Sequence, residues 1–132
     1  MKTIKLVLLA LAVLAGSAIY AQNNSKVIAV LNKASWCPVC QANDERVMTQ
    51  VFSQYNASDV IVAANDFSNE DTKKESKESL RKLGVYDVVA NDNKTGQIIL
   101  IDRKTKKIIS KISVTKSNDE LKKAFDDAIK QS

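Results

Sequence analysis

The sequence contains no histidine and only two cysteines, Cys37 and Cys40. A structural zinc site usually takes four Cys or His ligands, and a catalytic zinc site takes about three protein ligands. A nucleophile that depends on a neighbouring histidine, such as a Ser-His or Cys-His pair, cannot be formed without histidine. We therefore expect no metal site and no cofactor, and the chemistry that is left is that of two thiols two residues apart.

Aromatic residues are also scarce, at 5% of the chain, and the net charge of +5 is mild. The lysines are scattered over residues 73–82 and 104–123, where acidic residues are mixed with them and no aromatic residue lies between them. Proteins that bind single-stranded nucleic acid combine basic grooves with aromatic stacking platforms. The pattern predicts a solvated surface and no nucleic-acid partner.

The N-terminus carries the one long apolar run, at residues 6–15, which two lysines precede and small residues up to Ala21 follow. This order is typical of a secretory signal peptide, which we predict at residues 1–21. An uncleaved membrane anchor is disfavoured because the run is shorter than the ~20 residues that span a bilayer. We expect cleavage, export to a periplasmic or secreted location, and a mature form that does not span a membrane.

Removal of residues 1–21 from the 132-residue chain leaves 111 residues, enough for one domain at 22–132. The leader holds two of the 20 basic residues and none of the 15 acidic ones, so a net charge of +3 remains.

Hydrophobic periodicity predicts an α/β domain with the order β-α-β-α-β-β-α. Buried strands are predicted at 26–31 and 59–64, a hairpin at 97–102 and 107–114, a short extended piece at 85–89, and helices at 38–55, 72–83 and from 117 onward. In the first helix the predicted inner face is Cys40, Val47, Met48, Val51, Phe52 and Tyr55, and the predicted outer face is Gln41, Asn43, Asp44, Glu45 and Gln50. In the last helix the predicted inner face is Leu121, Ala124, Phe125, Ala128 and Ile129.

The two cysteines are predicted to lie where the first helix begins, directly after a strand. Unpaired amide groups and the positive end of the helix dipole stabilise a thiolate at that position. Cys37, at the end of the helix, gains most and is the predicted nucleophile. Cys40 lies one turn deeper and is the predicted resolving cysteine, which attacks a mixed disulfide formed by Cys37.

The segment Trp36-Cys37-Pro38-Val39-Cys40, within this order of elements, resembles the thioredoxin-like superfamily over residues 26–129. The resemblance implies the minimal thioredoxin-like fold, a central mixed sheet flanked by helices. It also implies thiol–disulfide exchange with protein substrates and a redox partner that recycles the dithiol. Trp36 matches the aromatic residue beside the active site, and Pro38 and Val39 match the dipeptide that tunes the reduction potential.

Three features depart from that family's pattern. The family has a cis-proline facing the dithiol, whereas Pro38 is the only proline here, and alignment places either Val89 or Gly96 at that position. The family's buried acid is replaced by Leu31, which leaves proton transfer from Cys40 to water or to another group such as Lys33. The segment 85–96 is longer than usual and is either a substrate-facing loop or a slack connection.

Alternatives stay open at this point. The chain is predicted to be a thiol–disulfide oxidoreductase, but a thioredoxin-fold binding or scaffold protein with a structural Cys37–Cys40 disulfide has the same motif. A dithiol that carries a soft ion such as Cu(I) is a weaker third interpretation. The direction of electron flow (reductase, oxidase or isomerase), the substrate and the oligomeric state do not follow from the sequence.

Overall fold

The computed structural model describes residues 25–132, and the predicted signal peptide at 1–21 lies outside the described residues. Within the described part the chain forms four strands and four helices. In chain order they are β1 (Val27–Lys33), α1 (Pro38–Arg46), β2 (Val60–Asp66), α2 (Glu70–Lys82), α3 (Tyr86–Val89), β3 (Gln97–Asp102), β4 (Ile108–Ser113) and α4 (Asn118–Gln131).

The four strands form one mixed sheet in the order β2-β1-β3-β4. β1 is parallel to β2 and antiparallel to β3, and β4 is antiparallel to β3. β1 and β2 are parallel because a helical crossover joins them, whereas the short turn between β3 and β4 makes a hairpin. The predicted α/β class and the central mixed sheet flanked by helices are confirmed.

The position of β1 inside the sheet explains its continuous apolar sequence, since both of its faces are covered. Val27, Ala29 and Leu31 pack on one face with α4 and with the chain that follows α1. Ile28 and Val30 pack on the other face with α2 and α3. A strand that is covered on both faces has no polar alternation, as the sequence indicated.

The last helix follows its sequence pattern closely. Ser117 and Glu120 form the predicted capping box, in which each side chain hydrogen-bonds the other residue's backbone amide. All five residues of the predicted inner face belong to the core on that side of the sheet or pack against it. α4 is therefore fixed by its own sequence at its start and along its length.

The predicted helix at 38–55 is instead built from three successive helical segments. α1 ends at Arg46, a π-helical turn covers Val47–Val51, and a 3-10 turn covers Phe52–Gln54. The wider turn changes the phase of the helix, so Met48, which we predicted to be inside, is 46% exposed. The two valines that bound the π-helical turn remain buried.

The segment predicted to be extended at 85–89 is a short helix, and that prediction was wrong. Gly84 adopts a positive φ of 75°, which ends α2 and lets the Val85 amide bond back to the Leu80 carbonyl at 3.0 Å. The chain then turns again, with the amides of Val88 and Val89 donating to the Val85 carbonyl. The apolar run is therefore buried by helical spacing and not by strand alternation. None of the helices within residues 25–132 has the length and apolar character needed to cross a membrane.

Candidate active site

Cys37 is the N-cap residue of α1, and Pro38 occupies the first helical position. The Cys37 sulfur accepts a hydrogen bond from the Cys40 backbone amide, with 3.3 Å between the two atoms. The first amides of a helix have no partner within the helix, and proline lacks the amide hydrogen in any case. The start of α1 therefore directs a free donor at Cys37 Sγ and favours negative charge there.

The two sulfur atoms lie 2.6 Å apart, and both cysteines are free thiols. Cys37 is 4% exposed and Cys40 is 1% exposed, and together with Ala34 and Phe67 they form a small apolar cluster at the end of β1. Cys40 is shielded as its place one turn into the helix predicted. The adjacent sulfur atoms place Cys40 where it can attack a mixed disulfide formed by Cys37.

The surroundings of the two thiols move their pKa values in opposite directions. Burial acts to raise the pKa of Cys37, but the Cys40 thiol, the nearby Thr95 hydroxyl and the backbone amides of Cys40 and Val39 outweigh it and lower the pKa. Burial, followed by the hydrogen bond that Cys40 gives to Cys37, raises the pKa of Cys40 to about 11. Of the two, Cys37 is the thiol that ionises first.

Gly96 lies against Val39, one of the two residues between the cysteines. Its φ is 77°, and a Cβ atom added to it would lie 2.9 Å from Val39 Cγ1. Its amide donates to the Asn32 carbonyl at 2.8 Å, so a proline would remove that bond. Of the two residues considered from the sequence for the position opposite the dithiol, Gly96 is the one that contacts the segment between the cysteines. Val89, the other candidate, is buried against the far face of the sheet.

The segment before Gly96 is held in place by a buried polar network. The Asn32 side chain is fully buried, and its amide donates to the carbonyls of Asp92 and Lys94 at 3.0 and 3.2 Å. Its side-chain oxygen accepts from the Asn65 amide at 3.1 Å. Asp92 is further bound by Lys111 at 2.7 Å. The long segment is therefore anchored to β1 and β4, which places Thr95 beside Cys37.

Exposed apolar side chains border the dithiol on the solvent side. Trp36 is 60% exposed, and its ring nitrogen donates to the Phe67 carbonyl at 3.4 Å. Val39 is 39% exposed and lies against Gly96. Pro38 is exposed as well. The five predicted site residues at 36–40 thus occupy one surface around two nearly covered sulfur atoms.

Leu31 is buried at the position where the family resemblance placed an acid, but a carboxylate from another element approaches Cys40. Asp44 lies one turn beyond Cys40 in α1 and pairs with Lys33, with 3.7 Å between Asp44 Oδ2 and Lys33 Nζ. Its other oxygen, Oδ1, is buried and has no hydrogen-bond partner among residues 25–132. Our prediction that Asp44 belongs to the outer face of its helix was wrong.

Sequence reasoning overlooked Asp44 and Thr95. A spacing of four residues from Cys40 was the available signal for Asp44, since side chains four apart are neighbours on a helix. For Thr95 the signal was its place before Gly96, which the sequence alone did not separate from Val89. Within residues 25–132 there is no group of three or more His, Cys, Asp or Glu side chains that could hold a metal ion.

No protein-family model and no curated protein matches the chain. Among solved structures, it is similar to Trxlp from Edwardsiella tarda EIB202, with 24% identity, a TM-score of 0.49, and coverage of 82% of this chain and 89% of that chain. It is also similar to Trgpx in its apo form, with 22% identity, a TM-score of 0.43, and coverage of 80% and 82%. The chain has a thioredoxin-like fold, as its sequence predicted. The evidence is the order and direction of its own four strands, together with the dithiol at the start of α1.

Proposed function

We propose that the protein is a thiol–disulfide oxidoreductase that exchanges disulfides with cysteines of other proteins. The observation that carries this proposal is the place of two adjacent thiols at the start of α1, where the Cys40 backbone amide donates a hydrogen bond to Cys37 Sγ. A purely structural disulfide has no need of a helix N-terminus that stabilises a thiolate, whereas a nucleophilic cysteine does.

In the reducing direction, the Cys37 thiolate attacks one sulfur of a substrate disulfide. A Cys37–substrate disulfide forms, and the second substrate sulfur leaves as a thiolate. Cys40 then loses its proton and attacks Cys37 Sγ, which breaks the mixed disulfide and closes the Cys37–Cys40 bond. The substrate gains two electrons and the protein dithiol loses two, and a partner of matching potential must restore the dithiol.

The exposed surface around the site supports a protein substrate. Trp36 and Val39 offer apolar area beside sulfur atoms that are almost covered, so a substrate must present its disulfide on a chain that can lie against them. The family resemblance carries the same implication for Trp36, Pro38 and Val39, which we propose as residues that dock the substrate and tune the potential.

Reduction of insulin disulfides by the reduced protein, followed by turbidity, tests this proposal. We expect turnover with the wild type, none with Cys37→Ala, and accumulation of a stable mixed disulfide with Cys40→Ala because resolution is blocked. Equal turnover by wild type and Cys37→Ala would refute the assignment.

The reduction potential distinguishes this function from a redox-inactive scaffold with a structural disulfide. Structural disulfides lie below about −300 mV, and active dithiols lie above that value. Gly96 at the position of the family's cis-proline is the feature that favours the scaffold. We expect a potential above that boundary, and the same measurement gives the direction of electron flow.

We also propose that the protein works outside the cytoplasm, in the periplasm or as a secreted protein. The support is the basic, apolar and small-residue order of residues 1–21. The intact mass of the exported protein should correspond to a chain that begins at Gln22. A mass that includes Met1 would refute cleavage.

A further inference from the structure

The resolving step requires a proton acceptor. Cys40 is 1% exposed, and burial together with its hydrogen bond to Cys37 raises its pKa to about 11. In the reduced dithiol only about one Cys40 thiol in ten thousand is ionised at pH 7, yet the thiolate is the attacking form. The buried acid that would serve this purpose in the family is absent, because Leu31 occupies its position.

Asp44 is placed to meet this requirement from the other side of the dithiol. It follows Cys40 by one helical turn, so the two side chains are neighbours on α1. Its side chain is 19% exposed, and its Oδ1 atom is buried without a hydrogen-bond partner among the described residues. A buried, unpaired carboxylate oxygen is costly, and such atoms in folded proteins call for a functional explanation.

We propose that Asp44 is the general base of the resolving step and accepts the proton of the Cys40 thiol, with Lys33 as its positioning partner. This inference rests on the proposed oxidoreductase function and adds a residue to it. Lys33 Nζ binds Oδ2 at 3.7 Å and leaves Oδ1 as the oxygen that is free to take a proton.

In this step the Cys40 S–H proton passes through one water molecule to Asp44 Oδ1, since the structure shows no direct hydrogen bond between them, while Cys40 Sγ forms a bond to Cys37 Sγ. The bond between Cys37 Sγ and the substrate sulfur breaks, and its electron pair leaves on the substrate sulfur. Asp44 then releases its proton to water through its partly exposed side, next to Lys33, which is 34% exposed.

The charges around Asp44 keep it suited to this task. Burial raises the pKa of Asp44, Lys33 on β1 opposes that rise, and Asp66 on β2 adds to it. From its own helix Asp44 faces Cys40, and its negative charge contributes to the raised pKa of that thiol. A carboxylate with a pKa above its ordinary value is a stronger base, and the ammonium group of Lys33 favours its ionised form.

Two-phase reaction of the reduced protein with one equivalent of dithiobis(nitrobenzoic acid) tests the assignment. The first release of nitrothiobenzoate reports attack by Cys37, and the second reports attack by Cys40 on the mixed disulfide. In Asp44→Asn we expect the first phase to change less than about twofold and the second to slow by tenfold or more, as loss of general-base catalysis commonly does. Asp44→Glu should recover part of that loss.

The electrostatic effect of Asp44 alone gives the opposite result. Because its charge raises the pKa of Cys40, a neutral asparagine would produce more Cys40 thiolate and a faster second phase. A second phase in Asp44→Asn that is unchanged or faster would overturn the inference. In the wild type the second-phase rate should fall at low pH as Asp44 takes up a proton, and the variant should lose that inflection.

Glu45→Gln is the matched control, since it removes one negative charge from the same helix at an exposed position. We expect both of its phases to match the wild type, and slowing equal to that of Asp44→Asn would overturn the assignment. Thermal unfolding of each variant checks that the fold is retained. Lys33→Met provides a second variant, in which the low-pH inflection of the second-phase rate should move to higher pH. Failure of the proposed function is separate, because it appears as a first phase no faster than that of glutathione.

Discussion

Replacing Gly96 with alanine tests whether the close approach of this residue to Val39 shapes the site. At φ 77° an L-residue is strained, which costs about 1–2 kcal/mol. The new Cβ atom would also lie 2.9 Å from Val39 Cγ1, and relieving that overlap costs about a further 1–2 kcal/mol. Together these effects predict a loss of about 2–4 kcal/mol in the free energy of unfolding.

The overlap can be separated from the backbone strain with a second substitution. Val39→Ala removes Cγ1 and leaves the Cβ atom of residue 39 at 3.4 Å from the new methyl group, which is near ordinary contact. In the Val39→Ala background, Gly96→Ala should lower the free energy of unfolding only by the backbone strain, about 1–2 kcal/mol. The double-mutant cycle should therefore give a coupling of about 1–2 kcal/mol.

Urea unfolding of the four proteins, wild type, both single variants and the double variant, measures the coupling. Val39 is β-branched and lies in the first turn of a helix, where its χ1 angle has one strongly preferred value, so it does not turn aside freely. A coupling of zero would mean that the valine moves into solvent at no cost. The close approach would then have no role in fixing the loop against the dithiol.

Two further predictions concern the loop that carries Gly96. Thr95→Val removes a hydroxyl that lowers the pKa of Cys37, so this pKa should rise and alkylation by iodoacetamide near neutral pH should slow. An unchanged pH midpoint of alkylation would contradict the contribution of Thr95. For Asp92, burial acts to raise the pKa, but hydrogen bonds from Lys111, Lys94 and Gln97 lower it below its ordinary value of 3.8. Its contribution to stability is therefore present above about pH 4 and is lost as the pH falls through the lowered value. Lys111→Met should cost about 1 kcal/mol at pH 7, and this difference should shrink in acid; a difference that stays constant from pH 7 to pH 3 would contradict the pairing.

Local sequence determined the parts of this protein whose causes lie within a few residues of each other. The apolar run of β1, the capping box of Ser117 and Glu120, and the start of α1 at Pro38 all follow from spacings of one to four residues. The placement of Cys37 at a helix N-terminus follows from the same short-range rules, because strand, turn and helix are contiguous there.

Tertiary structure decided what lies opposite those elements. Gly96 lies against Val39 because β3 pairs with β1 so that Asn32 aligns with Gln97, a register that no local pattern encodes. Asp44 pairs with Lys33 because the fold brings α1 beside the end of β1, although the polarity of Asp44 alone indicated the solvent face. The hydrophobic periodicity of the sequence predicts which residues share a face of a helix or strand, whereas burial of a polar residue depends on what packs against that face. For that reason the sequence alone identified the two thiols, and only the fold showed which groups change their pKa values.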